Sequence, residues 1–424
     1  MYYLILLLFF ACSSLKKKEE SFVQKIILKN GLLVYYKKTT LNPIISLSVN
    51  FFAGSSFEKQ QETGIAHFLE HLMFQKENGY IDFLESLGAS YNAWTSKDST
   101  SYYSNFHKKD FQVVLEKEIL RLQNFNPPSS QIEKERSVII EEKKQTESSP
   151  FAQFFLFIQD KVFKNTSYQH PIIGHLPVLK SITPSQITNF YNTHYNTGNT
   201  FIVLTGDLPE NFQDILENTL GLWTKKGPDF VSTKIFVKNA SFSYQTNELP
   251  KTLLSFINRN QLSKENSIFF DALVNLLNNA LAQLYLREDI LKTVFSSMSF
   301  FNFSFNSLGF LGLNLQLLES IDYETANLLF EKHLPSACHS IDEKSILTLK
   351  NQLKVSLNQS ILSTESLNNI IKSTVFESKT INTPLNYFEP SYYYKELDSL
   401  SPELFKKECL SLLKKPNISF KVIR

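Results

Sequence analysis

Two histidines and a glutamate within one short segment are the residues best suited to chemistry in this sequence. The segment HFLEH runs from His67 to His71 and lies in a stretch predicted to be helical over 64–75. Residues four apart on a helix share one face, so both imidazoles can point at one ion. Neutral imidazole binds zinc readily, and a catalytic zinc site has three protein ligands and an open position. The spacing therefore predicts a zinc site with two ligands on this helix.

Glu70 stands three residues after His67 and directly beside His71, so it lies near the metal face without having to be a ligand. A carboxylate there can take a proton from zinc-bound water as the water attacks a peptide carbonyl, and then pass it to the leaving amine. This inverse of the HExxH spacing also occurs in zinc peptidases. The pattern HxxEH is expected by chance in roughly one per cent of chains this long, and a lone buried histidine is more often structural. Two histidines and a glutamate on one turn are costly to bury without a ligand, which favours the metal site.

A third ligand is predicted on a second helix, over 129–146. Glu135 and Glu142 are seven residues apart, so they share one helix face. Val138 and Ile139 lie between them and are expected to pack inward. From spacing alone, an ordinary solvated acidic helix is an equal alternative.

The elements that must position these residues repeat along the chain. At 424 residues the chain exceeds one ordinary core. Two strands joined by a turn at Asn30-Gly31 are predicted first. Further strands and helices follow to residue 204, and a polar, turn-rich stretch lies at 225–250. After it the order of strand, helix, extended segment, helices and final strand returns. We therefore expect an α+β fold of two similar domains, 21–228 and 229–424, each a mostly antiparallel sheet packed with helices.

Composition excludes some classes of partner. The net charge is +2, from 43 basic and 41 acidic residues, which gives no reason to expect a nucleic acid or an acidic lipid surface. The three cysteines, Cys12, Cys338 and Cys409, include no CxxC pair, so neither a zinc knuckle nor a dithiol site is indicated. Cys338 and Cys409 could pair in an oxidising compartment, and two separate buried thiols are an equal alternative.

The N-terminus has the pattern of a targeting segment. Residues 2–11, YYLILLLFFA, form an apolar run that is too short to span a membrane and is typical of a secretory signal. The sequence Ala11-Cys12-Ser13 resembles a bacterial lipoprotein cleavage box, which predicts cleavage before Cys12 and lipid attachment to its thiol. Ordinary secretion and an uncleaved anchor are the alternatives. We therefore expect an exported protein of the bacterial cell envelope, held to the membrane by a lipid anchor only, with residues 1–20 outside the fold.

Several blocks of this sequence resemble the pitrilysin/insulinase family of inverted zinc peptidases, most of all its mitochondrial-processing-peptidase branch. The blocks are AGSSFEKQQETGIAHFLEHLMF (53–74), GASYNAWTSKDSTSYY (88–103), ERSVIIEE (135–142), HPIIGHLPVLKSIT (170–183) and YNTHYNTGNTFIVLTGDL (191–208). They follow the family's order and cover most of residues 31–208. The resemblance implies that His67, His71 and Glu142 bind Zn²⁺, that Glu70 is the base, and that Glu135 supports catalysis from two turns earlier.

The resemblance also implies a substrate-binding strand. Asn92, Ala93, Trp94 and Thr95 match an edge strand that holds extended peptide by adding it to the sheet. The segment is itself β-prone, and we expect the charges that follow it, Lys97 and Asp98, to limit aggregation at such an edge. An ordinary surface strand is the alternative.

The second half departs from the family pattern. Members that complete their own site often carry an Arg and, seven residues later, a Tyr; here Arg287 could supply the first, but Val294 or Phe295 stands at the Tyr position. This half has no HxxEH, so we expect a non-catalytic repeat. The family's split-subunit branch then favours a homodimer or a heterodimer with a related non-zinc subunit. Arg287 as an ordinary surface residue is an equal alternative.

The predicted function is that of a zinc-dependent endopeptidase acting on peptides or unfolded segments. The first alternative is a non-catalytic scaffold subunit that binds peptide without cleaving it. The second is an envelope lipoprotein used for adhesion or assembly. The intact set of ligands and base favours the peptidase.

Overall fold

A computed structural model describes most of the chain. The described residues are 21–74, 79–228, 230, 237–258, 260, 267–305, 308–380, 389–415 and 417–424. The predicted leader and the predicted lipid site at Cys12 lie outside the described residues. Within them, no helix combines the length and the apolar character that a membrane crossing requires.

The first half builds a six-stranded sheet. Its strands are β1 (Gln24–Ile27), β2 (Leu33–Lys38), β3 (Ile44–Phe51), β4 (Ser90–Thr95), β5 (Thr100–His107) and β6 (Thr200–Gly206). Their order is β1-β2-β6-β3-β5-β4, with β4 at one edge. Neighbours are antiparallel except β2 and β6. The predicted hairpin is confirmed, since β1 pairs antiparallel with β2 around Gly31, whose φ of +88° favours glycine.

Eight helices of the described chain belong to this half. They are α1 (Ile65–Met73), α2 (Tyr80–Ser86), α3 (Phe111–Gln123), α4 (Ser129–Glu147), α5 (Pro150–Val162), α6 (Leu176–Ser181), α7 (Pro184–His194) and α8 (Phe212–Asn218). Apolar side chains from α1, α3 and α7 bury one face of the sheet; Phe68, Leu115 and Ile187 are among them. Helix α5 was not predicted from the sequence.

The second half repeats this plan. Its elements are β7 (Ser241–Gln245), β8 (Thr252–Asn258), α9 (Ser267–Arg287), α10 (Asp289–Lys292), β9 (Phe295–Phe305), β10 (Leu308–Leu317), α11 (Tyr323–His339), α12 (Glu343–Leu362), α13 (Thr364–Thr380), α14 (Pro390–Asp398), α15 (Pro402–Ser411) and β11 (Ile418–Ile423). The sheet order β7-β11-β8-β10-β9 follows β2-β6-β3-β5-β4 strand for strand. Even the single parallel pair, β7 with β11, recurs. The predicted α+β fold with two similar domains is confirmed.

The two halves exchange a helix. Helix α5 packs its Phe154 and Ile158 against Phe256 and Phe420 of the second sheet. Helix α13, its counterpart, packs against β3 and β6 of the first sheet. Each half therefore completes the core of the other. The two sheets lie on either side of the predicted link, but the boundary at 228/229 stays a prediction, because residues 229 and 231–236 lie outside the described range.

A buried polar contact secures this exchange. Asn368 of α13 donates to the carbonyl oxygens of Ser46 and Val203, each at 3.0 Å, and accepts from the hydroxyl of Ser48 at 2.7 Å. All four residues are buried, and the polar atoms of the Asn368 side chain are satisfied by these hydrogen bonds. The contact fixes α13 against the middle of the first sheet.

Cys338 and Cys409 form a disulfide. The two cysteines lie on α11 and α15, with Cα atoms 5.6 Å apart, and both are fully buried. Of the two alternatives that the sequence allowed, the structure has the bonded pair. The bond joins residues 71 positions apart and ties the helices of the second half together.

Candidate active site

The helix that carries the HFLEH segment begins at a tightly packed glycine. Gly64 precedes Ile65 with φ of +97°, and a Cβ there would lie 2.7 Å from the carbonyl oxygen of Ile173. Both observations require glycine. Because Gly64 has no side chain, a remote residue caps the helix: Glu58 accepts from the N–H groups of Gly64 at 2.8 Å and Ala66 at 2.9 Å.

Glu58 is fully buried, and this burial dominates its electrostatics. Burial raises the pKa of Glu58 well above its usual range, while its bonds to Ala66 and Gly64 and the charge of Lys97 oppose that rise. The carboxyl group lies at the positive end of the α1 dipole, where an acid is favoured. The hydrogen bonds from Gly64 and Ala66 to Glu58 fix the start of α1 at Gly64, three residues before His67.

The pattern of apolar residues then orients α1. Ile65, Ala66, Phe68, Leu69, Leu72 and Met73 are buried in the core of the first half. His67, Glu70 and His71 occupy the remaining face and are partly exposed. That face is turned toward α4 and β4, which supply the other groups of the site.

Three predicted ligands converge from two helices. His67 Nε2 lies 3.8 Å from Glu142 Oε1, and His71 Nε2 lies 3.5 Å from Glu142 Oε2. The two imidazole rings are 4.7 Å apart between centroids. One candidate ligand atom from each residue lies within 4.8 Å of the others. Glu142 therefore reaches the histidine face, as expected for the third ligand.

These separations fit a tetrahedral zinc ion. Zinc–ligand bonds of about 2.0–2.1 Å place two ligand atoms about 3.3 Å apart, somewhat less than the observed 3.5 and 3.8 Å. The donor set of two imidazoles and one carboxylate is also that of known catalytic zinc sites. The residues present therefore fit the metal that the sequence predicts.

Glu135 supports the site from behind His71. Its Oε2 lies 3.2 Å from His71 Nδ1, the ring nitrogen that does not face Glu142. A carboxylate at this position fixes the tautomer and the orientation of a metal-binding imidazole. Glu135 is thus a positioning residue, whereas Glu142 is the candidate ligand.

Glu70 is held from the edge strand rather than from its own helix. Thr95 Oγ1 donates to Glu70 Oε2 at 2.5 Å, and it lies 3.3 Å from Thr100 Oγ1. Burial raises the pKa of Glu70, while the hydrogen bond from Thr95 and the charge of His71 oppose the rise. The result is a partly desolvated carboxyl group with one oxygen fixed, as a proton carrier requires.

The surroundings shift the pKa values of His67 and His71 in opposite directions. Burial, with the charge of His71, lowers the pKa of His67 to about 4. Burial also opposes a charge on His71, but its hydrogen bonds to Glu135 and Glu142 outweigh that effect and raise its pKa to about 9. The bond to His71 in turn lowers the pKa of Glu142. The carboxylates of Glu135 and Glu142 thus favour positive charge at His71, whereas burial disfavours it at His67.

Two expectations about neighbouring residues are wrong. Val138 is 45% exposed, whereas Glu135 and Ile139 are buried. Each residue turns a helix by about 100°, and the buried stripe is centred between Glu135 and Arg136, so Val138 falls beyond its edge. Glu142 lies at the margin of the stripe, which keeps its carboxylate half-exposed and available.

Lys97 and Asp98 do not protect the sheet edge, because both are buried. The turn after β4 folds inward, with Ser55 and Ser56 donating their N–H groups to Ser96 and Lys97 at 3.0 and 2.7 Å. Lys97 donates to the carbonyl of His170, and Asp98 accepts from the hydroxyl of Tyr168. Their role is to bind the 165–171 segment to this turn.

The predicted substrate residues lie on an edge strand. Side chains alternate along β4, so Ala93 packs toward the core on the α1 side, and Thr95 contacts Glu70 on that same side. Trp94 faces the other way, toward α13, and Asn92 is exposed. Contact between these four residues and a substrate stays a prediction.

Arg287 is not joined to this site by any observed contact. It is exposed at the end of α9 and donates to Gln283 on the same helix at 3.3 Å. Phe295, one candidate for the family's Tyr position, is fully buried. A substrate role for Arg287 likewise stays a prediction.

Two groups that shape the site were not predicted from the sequence. The first is Glu58, whose capping role depends on a loop that returns to Gly64. The second is α13, which brings Lys372 and Phe376 beside Trp94. No local pattern marks either, since each acts on a residue that only the fold brings near.

Comparison with known proteins gives a consistent result. The family model for insulinase (peptidase family M16) matches residues 33–175, and the model for the peptidase M16 inactive domain matches residues 181–353. The probable mitochondrial-processing peptidase subunit beta of Arabidopsis thaliana is 28% identical over 225 residues, which cover 52% of this chain and 42% of that protein. The human mitochondrial-processing peptidase subunit beta is 25% identical over 329 residues, covering 72% and 66%. The chain therefore spans only part of the length of these relatives.

Solved structures share the fold over nearly the whole chain. A protease from Helicobacter pylori has a TM-score of 0.77 at 18% identity, covering 95% of this chain and 99% of that one. The first half of the periplasmic protease PqqL from Escherichia coli also has a TM-score of 0.77, at 19% identity, covering 95% and 92%. At such identity the likeness shows the fold alone.

Proposed function

The chain belongs to the insulinase family of peptidases, family M16, in its mitochondrial-processing-peptidase-like branch. On that basis we propose that it is a zinc-dependent endopeptidase that hydrolyses peptides or unfolded polypeptide segments. One observation carries the proposal. His67, His71 and Glu142 converge within 4.8 Å, while Glu70 stays outside this set and is held by Thr95. A purely structural cluster would not need a fourth, separately positioned acid.

His67, His71 and Glu142 would hold the zinc ion, which when bound supplies a Lewis acid for the scissile carbonyl and lowers the pKa of water. The protein performs the proton transfers. Glu70 accepts a proton from the attacking water and later donates it to the leaving amine. Thr95 occupies Oε2 of Glu70, so the proton is exchanged at Oε1.

The edge strand β4 is proposed to bind the substrate backbone. An edge strand presents unpaired N–H and C=O groups, and an extended peptide can pair with them. The last residue of β4 is Thr95, which contacts the proposed base. A peptide paired with Asn92 to Thr95 would therefore pass directly beside Glu70. Folded proteins would be poor substrates, because pairing requires an extended segment.

The test is a comparison of the wild type, Glu70→Gln and Glu141→Gln. Glu141 is an exposed acid on α4 that pairs with Lys144, so its substitution is a matched control. We expect about one zinc per chain in all three proteins. Cleavage of unstructured peptides should be chelator-sensitive and should fall by about 10²–10⁴-fold only in Glu70→Gln. Zinc-free wild type without cleavage, or cleavage that survives in Glu70→Gln, would reject the proposal.

We further propose that the chain works with a partner, either a second copy or a related non-zinc subunit. The relatives named above are subunits by name, and here Arg287 is exposed while Phe295 is buried. If a partner supplies the missing groups, the isolated chain should bind zinc but cleave slowly, and adding the partner should restore cleavage. Light scattering of the active preparation should then show a dimer.

Export to the bacterial cell envelope is proposed on two grounds. The buried Cys338–Cys409 disulfide suits an oxidising compartment, and the sequence before residue 21 has the signal pattern described above. Lipid attachment at Cys12 is part of this proposal. Cys12→Ala should then release the protein from membranes, whereas retention would indicate an uncleaved anchor.

A further inference from the structure

Lys372 places a buried ammonium group from the second half beside the edge strand of the first. The residue is 6% exposed. Its Nζ lies 5.2 Å from the ring centroid of Trp94 and 5.5 Å from that of Tyr103, residues of β4 and β5. Phe376, one turn further along α13, meets the Trp94 ring edge-on with centroids 6.4 Å apart. The α13 side of the proposed substrate strand is therefore built by the second half.

This ammonium group forms no ion pair with any residue that the structure describes. Among the described residues, no carboxylate lies within ion-pair distance of Lys372, and its hydrogen bond goes to the exposed amide of Asn369 at 2.8 Å. The charge of Glu365 raises the pKa of Lys372 without an ion pair between them, and the Glu365 carboxylate accepts a hydrogen bond from Asn105 at 3.0 Å. Burial lowers the pKa of Lys372 to about 8, so the charge is present at neutral pH. An unpaired buried charge opposes folding and points to a role outside stability.

The pleat of β4 decides which substrate side chains could meet this charge. Thr95 faces Glu70, and Trp94 faces Lys372. Side chains of an added strand alternate in the same way, and directly opposed residues have Cβ atoms about 5 Å apart. One substrate residue in two would therefore lie on the Trp94 side, and the residue opposite Trp94 would lie closest to Lys372.

We propose that Lys372 selects peptides that carry an acidic side chain, Asp or Glu, at the position opposite Trp94. The proposal rests on the endopeptidase function proposed above. The rings of Trp94 and Tyr103 lie against the ammonium group, so a carboxylate from a peptide added at the edge of β4 would approach it past the Trp94 ring. Such a carboxylate would provide a counter-ion that Lys372 lacks among the described residues, so the second half would contribute specificity although its described residues include no candidate metal ligands.

The experiment uses the full chain and a set of unstructured peptides in which one Glu is moved through an otherwise neutral sequence, each with a matched Gln peptide. We expect Glu at one position to raise kcat/KM about tenfold over Gln. Lys372→Met should abolish this preference and leave cleavage of the Gln peptides unchanged, and Lys372→Arg should retain it. Lys379→Met is the control, because Lys379 is an exposed lysine on the same helix.

The outcomes separate this inference from the proposed function. Wild type that cleaves Gln and Glu peptides equally at every position overturns the role of Lys372 and leaves the peptidase intact. A Lys372→Met variant that loses activity on both peptides equally shows that Lys372 only supports Trp94. If no peptide is cleaved, binding of the same Glu and Gln peptides is measured by calorimetry. Tighter binding of the Glu peptide that is lost in Lys372→Met supports the role of Lys372, although the proposed peptidase activity is then rejected. Equal binding of the two peptides overturns the role of Lys372.

Discussion

Thr95 of the edge strand β4 donates a 2.5 Å hydrogen bond to Glu70 of α1. The two residues are 25 positions apart, and the bond joins the proposed substrate strand to the proposed base. A peptide that pairs with β4 would thus be aligned against the same residue that orients Glu70. In the proposed peptidase, this direct connection would couple substrate position to proton transfer without an intervening loop.

Removing this hydroxyl should shift the pH profile of catalysis. The hydrogen bond from Thr95 lowers the pKa of Glu70, against burial, which raises it. In Thr95→Val that opposition is lost, so the pKa of Glu70 rises and its active, deprotonated form requires a higher pH. The acidic limb of the kcat/KM profile should therefore move to higher pH. Thr95→Ser, which keeps the hydroxyl, should retain the wild-type limb; an unmoved limb in Thr95→Val would show that the bond does not tune the base.

Substitution of Glu135 should weaken metal binding without removing a ligand. Its carboxylate lies 3.2 Å from His71 Nδ1 and orients that ring. Loss of such support typically costs about 10–100-fold in metal affinity. Chelator competition should show this loss in Glu135→Gln, and Glu141→Gln on the same helix should bind zinc like the wild type. Affinities that coincide in the two variants would mean that His71 is oriented by its packing alone.

Glu58→Ala should destabilise the whole first half. The substitution removes the acceptor for two buried N–H groups at the start of α1, those of Gly64 and Ala66. Each unsatisfied buried donor costs about 1–3 kcal/mol, so the loss of both bonds should lower the free energy of unfolding by about 2–6 kcal/mol. Denaturant unfolding measures it, with Gln61→Ala, an exposed neighbour, as the control. A loss no larger than that of Gln61→Ala would mean that water replaces the cap.

Lys372→Met should stabilise the protein at neutral pH. Burial lowers the pKa of Lys372 to about 8, so the unfolded chain binds more protons between that value and the ordinary pKa of lysine, about 10.4. Stability of the wild type therefore rises as pH increases through this window, and the full penalty of the buried charge is present below pH 8. Removing it should raise the free energy of unfolding at pH 7 by about 1–3 kcal/mol.

The advantage of Lys372→Met should shrink as the pH rises from about 8 to about 10.4 and should stay small above that, because the wild-type lysine then becomes neutral in both states. Lys379→Met, at an exposed position, should change stability by less than about 0.5 kcal/mol. A destabilised Lys372→Met would show that its contacts with Trp94 and Tyr103 outweigh the cost of burial. If Lys372→Met both gains stability and loses the preference for acidic peptides, Lys372 contributes to specificity at a cost in stability.

The sequence by itself determined the helix that carries HFLEH and the class of fold, and its resemblance to the family implied Glu142 as the third ligand. Local periodicity aligned the residues of each pair on one helix face, since His67 and His71 are four positions apart and Glu135 and Glu142 seven. The repeated order of elements likewise foretold two similar domains, which the two sheets confirm.

Only the tertiary structure decided which side chains those elements bury and which distant residues they meet. It buried Lys97 and Asp98, which a strand pattern places at a polar edge, and exposed Val138, which a helix pattern places inside. It exchanged α5 and α13 between the halves and so brought Lys372 to Trp94, 278 positions earlier in the chain. Periodicity describes the two faces of one element, but burial depends on what packs against each face, and that partner here comes from the other half of the molecule.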